Sequence, residues 1–228
     1  DLSSDLLIGG APQNTPAPPH KPGAAFVFRL DPNTSTWLQQ VKLRSSDGFD
    51  EDRFGISVTL ASATAASLIG DVAIVGAHQD DDGGRNSGSA YVFNNFLTGG
   101  EQFQLQKITA FDHSPQDLFG FSVSISPAGT LAIISSHGDD DNANGSGAAY
   151  VYRWDPDDLV FVFEQKIKAP DLAANDSFGF AVAVSGPPDH EVAVIGAFSD
   201  DDLGLNSGSA YVFRCNGNRQ WVFEQKLT

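Results

Sequence analysis

The feature that most restricts this chain is that it copies itself. "FGISV" from Phe54, "FGFSV" from Phe119 and "FGFAV" from Phe178 each open the same series of segments. An apolar run ending in three aspartates follows: "VAIVGAHQDDD", "LAIISSHGDDD" and "VAVIGAFSDDD". Then come "SGSAYVF" from Ser87, "SGAAYVY" from Ser146 and "SGSAYVF" from Ser207, and the copies close with "FQLQKIT", "FVFEQKIK" and "WVFEQKLT". The first aspartate of each triple stands at 80, 139 and 200, a period near 60. Repetition at this length constrains architecture more than local propensity does, because each unit buries its faces against others of its own kind.

Each copy predicts four short strands with turn residues between them, and helical periodicity is absent. Before them, "LLIGGAP", "GAAFVF" and "WLQQVKL" form a partial copy without an opening FG strand, for 15 expected strands in all. The repeats are bounded at 1–43 (partial), 44–109, 110–168 and 169–228. Such a meander predicts an all-β chain, a β-propeller of four-stranded antiparallel blades. A partial first copy cannot close a ring and hide its edges, so the expectation is an arc of a larger propeller. Closure through a second chain and a self-contained small propeller are the alternatives. The tyrosine and phenylalanine pairs of the third strand, such as Tyr91 with Phe93, are expected to wedge the blades apart rather than to stack on a ligand.

"FG" followed about twenty residues later by "GA" or "GAP" resembles the FG-GAP repeats of integrin α-subunit propellers. It is closer to the variant of bacteria and lower eukaryotes with a "GAxxDDDxGxxSGSAYVF" core. The resemblance covers essentially the whole chain. It implies a propeller of about seven blades, extracellular or at the cell surface, concerned with ligand binding or adhesion. It does not carry the integrin calcium loops across. Those lie between strands 1 and 2, where this chain has "ASATAASLIG", "SPAGT" and "SGPPDHE". Only "DLSSDLLIGGAP" looks like the end of such a loop, with Asp1 and Asp5 in late ligand positions.

The acids repeat as well. The triples Asp80–Asp81–Asp82, Asp139–Asp140–Asp141 and Asp200–Asp201–Asp202 fall in the loops between strands 2 and 3. A second pattern, D-x4-D-x-F-G, places Asp47 and Asp52, Asp112 and Asp117, and Asp171 and Asp176 in the connections entering each copy. In an up-and-down blade these loops share one face. With Asp50 and Glu51 they put 17 of the chain's 29 acidic residues there. So one-sided a field attracts cations. Ca2+ is the natural metal, since it takes six to eight oxygens, and Asp117 or Asp176 is expected to reach into a triple from the next connection. The alternative is that Asp and Asn simply build turns by bonding nearby backbone N–H groups. His78 and His137, two residues before their triples, are further candidate ligands.

A net charge of −16 and a pI near 4.3 argue against nucleic acid and anionic membranes, and no stretch is long and apolar enough for direct membrane insertion. The lone Cys215 has no intrachain partner and reads as an inert thiol or an interchain bridge. Asn33, Asn144 and Asn175 head glycosylation sequons. With no methionine at all, the chain is expected to be processed or to be a piece of a longer one. The five histidines, His20, His78, His113, His137 and His190, occupy mostly non-equivalent places, and no nucleophile elbow, HExxH, phosphate loop or CxxC is present. The expectation is therefore a non-enzyme without an organic cofactor, binding a protein or glycan on its acidic face. A building block of an extracellular assembly, through self-association or as part of a larger propeller, is the second reading. A non-catalytic propeller domain of a larger hydrolase is the third.

Overall fold

The computed structural model describes residues 2–3, 5–12, 22–49, 51–62, 70–96, 100–141 and 143–228. Asp1, His20 and Asp50, singled out above, lie outside them. Among the described residues the regular structure is entirely β, in four sheets that follow one another along the chain. Blade 1 holds β1 (Leu2–Ser3), β2 (Leu6–Ala11), β3 (Ala24–Asp31) and β4 (Thr36–Arg44). Blade 2 holds β5 (Val58–Ala61), β6 (Val72–Ala77), β7 (Ser89–Asn94) and β9 (Gln106–Ile108). Blade 3 is β10 (Val123–Ile125), β11 (Leu131–Ser136), β12 (Ala148–Asp155) and β13 (Val160–Ile167). Blade 4 is β14 (Phe178–Ser185), β15 (Val192–Ala197), β16 (Ser209–Cys215) and β17 (Trp221–Leu227). The four antiparallel sheets do not close on one another, so the described chain is an open propeller arc.

Two strands depart from the expected 15. Blade 1 has a short innermost strand after all, because Leu2 and Ser3 pair with Leu7 and Leu6. The segment "EQFQLQKIT" does not run as one strand. Its start, β8 (Glu101–Phe103), pairs in parallel with β4 of the preceding blade, and Arg44 donates to Glu101 at 2.7 Å. Only Gln106–Ile108 returns to blade 2.

The core lies between blades rather than inside one. Ala73, Val75, Ala77, Tyr91 and Phe93 of blade 2 pack with Leu6, Ile8, Val27 and Leu43 of blade 1. Val72, Ile74, Ala90 and Val92, on the alternate positions, pack towards blade 3. A strand buried on both faces needs no polar alternation, which is why β6 and β11 read as unbroken apolar runs.

The FG motif locks one blade to the next. Phe54, Phe119 and Phe178 are fully buried, each edge-on to the tyrosine of its own third strand at 5.4 Å. Their backbones bridge to Gly23, Gly88 and Gly147 of the preceding blade. A Cβ on Gly88 would stand 2.1 Å from the Phe119 carbonyl oxygen, and one on Gly147 2.0 Å from that of Phe178. Glycine is demanded there by backbone contact as well as by its positive φ. The expected aromatic wedges are where the sequence places them.

Candidate functional site

Each full blade gathers its acids around a lysine of its own outermost strand. Lys107, Lys166 and Lys226 stand directly across the sheet from Tyr91, Tyr150 and Tyr211. Cross-strand neighbours share a face, so each ammonium lies over its tyrosine ring, 5.3, 5.0 and 5.0 Å from the centroid. From there Lys107 reaches Asp47, Asp80 and Asp82 at 2.8, 2.9 and 2.5 Å. Lys166 reaches Asp112, Asp139 and Asp141 at 2.8, 2.6 and 2.6 Å. Lys226 reaches Asp171, Asp200 and Asp202 at 2.7, 2.8 and 2.5 Å.

The tyrosine hydroxyls complete the constellation. That of Tyr150 lies 2.8 Å from both Asp112 and Asp139, sharing one proton between two carboxylates. Tyr91 sits likewise between Asp47 and Asp80, and Tyr211 between Asp171 and Asp200. Burial and the adjacent carboxylates push all three phenols far up, so they stay protonated. Burial raises the Asp200 carboxyl, but the bonds from Lys226 and Tyr211 outweigh it and hold Asp200 at about 2. Three carboxylates outnumber the lysine in each cluster; in blade 3 Lys168 adds a second ammonium, 3.1 Å from Asp141.

The members of each triple separate by role. The first, Asp80, Asp139 or Asp200, is buried. Its Oδ1 accepts the backbone N–H two residues on, at 3.1, 3.4 and 3.2 Å, closing an Asx turn. Its Oδ2 takes the lysine. Turn and cation site are thus the same residue. The second, Asp81, Asp140 or Asp201, is exposed, although Asp81 accepts the Asn86 N–H at 2.6 Å. The third reaches the lysine from the rim.

The D-x4-D pairs divide as well, and here one expectation is corrected. Asp117 and Asp176 do not reach the lysine. The first acids, Asp112 and Asp171, do, because the second acid of each pair turns back to cap its own connection. Asp52, Asp117 and Asp176 accept the N–H groups of Phe49, Ser114 and Ala173 at 2.6, 2.6 and 2.9 Å. All three are buried. Burial, reinforced by the nearby Asp80 and Asp81, raises Asp52 to about 7. Burial with Asp139 and Asp140 raises Asp117 to about 6, and Asp176 is raised for the same reasons.

Asp112–Asp139–Asp141 and Asp171–Asp200–Asp202 bring their oxygens within 4.8 Å of one another, close enough to hold a metal ion. The oxygen donors suit a hard cation; the ammonium among them is already one. Neither group contains a histidine. His78 and His137 instead flank Phe121, at 5.3 and 4.2 Å between rings, where burial lowers both to about 4. Asp5 is held by Arg29. Cys215 is buried, and burial with Glu191 raises its thiol to about 11. Asn33, Asn144 and Asn175 are exposed.

Sequence reasoning missed the lysines. The signal was present, since Lys107, Lys166 and Lys226 recur with the period of the triples. They escaped notice because a search for sites among acids does not look for the charge that answers them.

Among solved structures, the chain is similar to the periplasmic gluconolactonase PpgL of Pseudomonas aeruginosa, with TM-score 0.61 and 15% identity over 98% of this chain and 54% of that one. A 6-phosphogluconolactonase candidate from Bacteroides fragilis NCTC 9343 gives 0.57 and 12% over 98% and 54%. A protein from Lactobacillus plantarum gives 0.52 and 14% over 98% and 53%. The chain therefore spans about half the length of these structures, and at such identity they show the fold alone. No curated protein matches the chain in sequence. The FG-GAP repeat matches at residues 37–93, 103–152 and 161–213. The first and third matches start on the outermost strand of one blade and end on the third strand of the next, and the second starts at the end of β8 and ends on β12, so all three span the FG junction. The chain belongs to the FG-GAP repeat family.

Proposed function

We propose that this chain is an extracellular binding module that engages a positively charged ligand, a basic protein segment before a glycan, on its acidic loop face. The observation that supports this most is the charge left over. Three consecutive blades present clusters in which carboxylates outnumber ammonium groups, and exposed Asp81, Asp140 and Asp201 stand beside them. A polarised face of this kind raises the local concentration of cations and speeds their association. On this reading the chain performs no catalysis. A place in an extracellular assembly agrees with the same geometry, and the lactonase likeness adds nothing about activity.

Calcium is the finer form of this proposal. Ca2+ would use Asp139, Asp141 and Asp112, or Asp200, Asp202 and Asp171, and would enter by displacing the lysine. The built-in ammonium argues that the folded state does without it.

Titration of a fluorescent deca-lysine peptide tests the binding role. The account expects saturable binding that weakens steeply between 50 and 200 mM salt, as charge-driven association does at roughly these ionic strengths. Asp81→Asn with Asp140→Asn and Asp201→Asn should weaken it further without lowering the thermal midpoint, since each removes a charge that opposes the buried carboxyl of Asp52, Asp117 or Asp176. Binding indifferent to salt and to these substitutions would refute the reading.

A further inference from the structure

The outer rim of the junction between blades 3 and 4 holds a cavity of about 410 Å3. It lies at the hairpins between third and fourth strands, the opposite strand ends from the aspartate triples. Its chemistry starts from a β-bulge. The ladder between β12 and β13 shifts register after Val151 and leaves Glu164 with no residue opposite. Glu164 turns to Arg153 instead, accepting from Nε at 2.5 Å and from Nη2 at 3.2 Å. It also accepts the Trp221 indole N–H of blade 4 at 3.2 Å. Behind this pair, Arg153 Nη1 donates to the fully buried Glu191 at 3.2 Å. The floor of the cavity is therefore an ion pair that both blades hold in place.

The sides differ from the floor. Val162 and Phe163, 47% and 40% exposed, make an apolar wall with Pro156. Arg219 reaches the mouth from the hairpin of blade 4, its side chain 61% exposed. Its Nε donates to Asp189 at 3.2 Å, and its two Nη groups bond nothing among the described residues. Asp155 lines the cavity too. Its Oδ1 accepts the N–H groups of Asp157 and Asp158 at 2.9 and 3.4 Å, which leaves Oδ2 unspent. Blade 4 repeats the floor. There the bulge leaves Glu224 unopposed, Arg214 donates to it at 2.8 and 3.2 Å, and Val222 and Phe223 stand alongside. In blade 1 the unopposed residue is Gln40, and Arg29 turns to Asp5 and Asp71. The ionic floor thus belongs to the blades that carry the glutamate.

The geometry points to a sugar-binding site in this cavity, one that takes a neutral pyranose. Its volume falls within the range of small-molecule sites. An anion would meet Asp155, Glu164, Asp189 and Glu191, four carboxylates against two guanidinium groups. A cation would meet Arg219 at the mouth and Arg153 at the floor. An uncharged ligand escapes both. It must still answer the spare N–H donors of Arg219 and the spare oxygen of Asp155, and lay an apolar face on Val162 and Phe163. A pyranose does this, because its hydroxyls donate and accept alike while the C–H groups of one ring face are apolar. The site shares no residue with the acid clusters and does not depend on the reading given to them.

The test follows the indole N–H signals of Trp37, Trp154 and Trp221, the three tryptophans of the chain, by nuclear magnetic resonance. Methyl glucoside, methyl galactoside, methyl mannoside and N-acetylglucosamine are each titrated through the millimolar range. At least one should shift Trp154 and Trp221 saturably and leave Trp37 of blade 1 unmoved. Arg219→Ala should weaken that binding about tenfold, the worth of a hydrogen bond to a charged group. The same variant should keep the thermal midpoint and the deca-lysine binding of the wild type. Phe163→Ala should weaken sugar binding as well. Glucuronate and glucosamine, the charged counterparts, should bind less tightly than the best neutral sugar. Indoles that no neutral sugar moves, tighter binding of glucuronate or glucosamine, or a response that survives both substitutions would overturn the proposal.

Discussion

Blade 1 and blades 2 to 4 share a backbone plan but not a charge plan. Lys42 stands where Lys107, Lys166 and Lys226 stand, and it too lies over an aromatic ring, 5.7 Å from the centroid. That ring is Phe26, without a hydroxyl, and the stretch from Ala11 to Gly23 contains no acid. Lys42 turns instead to Glu101, 3.5 Å away on the added strand β8 and 46% exposed. Tyrosine and loop aspartate are thus present together or missing together. A buried carboxylate is tolerated when its lone pairs are answered and is costly when they are not. The difference between the blades teaches that the lysine's partners form a unit, and that the lysine alone does not make one.

The largest effect should come from removing the cation. Lys166→Met strands Asp139, whose side chain is only 3% exposed, beside two other carboxylates. By the cost of breaking a buried ion pair from one side, about 3 kcal/mol of stability should go. Chemical denaturation reads it, and Asp139→Asn in the same chain should restore part. Lys42→Met in blade 1, with a partner open to water, should change little. Equal losses from the two would erase the distinction between the blades.

Next is the pH dependence, whose histidine part blade 1 does not share, since Pro12 replaces the histidine. His78 and His137 are lowered from 6.5 to about 4. Their contribution is present above 6.5 and is lost as pH falls through about 4. Asp52 and Asp117 are raised from 3.8 to about 7 and 6. Their contribution is present below 3.8 and lost as pH rises through 6 to 7. The two windows overlap between about 4 and 6, so the opposed contributions offset one another in the wild type. His137→Phe, the residue blade 4 already uses at Phe198, should make stability fall more steeply as pH rises across that window, and Asp117→Asn should make it rise. If neither substitution alters the slope, the titrating groups lie elsewhere.

A smaller loss, about 1 kcal/mol, is expected for Tyr150→Phe, on the usual worth of a buried hydrogen bond. Phe26→Tyr in blade 1 should gain nothing, having no carboxylate to meet. A gain comparable to the loss would show that the hydroxyl acts without its acids.

How far the sequence disclosed all this depended on what repeats. Phe54, Phe119 and Phe178 with their glycines made the propeller legible, because a blade junction imposes the same residues each time. The sharing of one face by the triples and the D-x4-D pairs was equally legible, being a matter of strand parity. Which acid of each pair enters the cluster was not. Asp112 and Asp117 are both compatible with the spacing, and only the turn that lets Asp117 cap Ser114 decides between them. β8 was hidden for a different reason. "EQFQLQKIT" is uniformly strand-like, and its division between two sheets follows from pairing with Lys42 to Arg44 far back in the chain. The turn and metal readings of the triples were framed as rivals, whereas Asp139 closes the turn with one oxygen and binds a cation with the other.

Thermal melting of the chain in chelator and in 5 mM calcium, about the level of weak extracellular sites, tests most directly whether the lysine serves as the cluster's own cation. The account predicts midpoints that agree for the wild type, and a calcium-dependent rise that appears once Lys226→Ala frees the oxygens of Asp171, Asp200 and Asp202. A large calcium-dependent rise in the wild type, unchanged by Lys226→Ala, would contradict it.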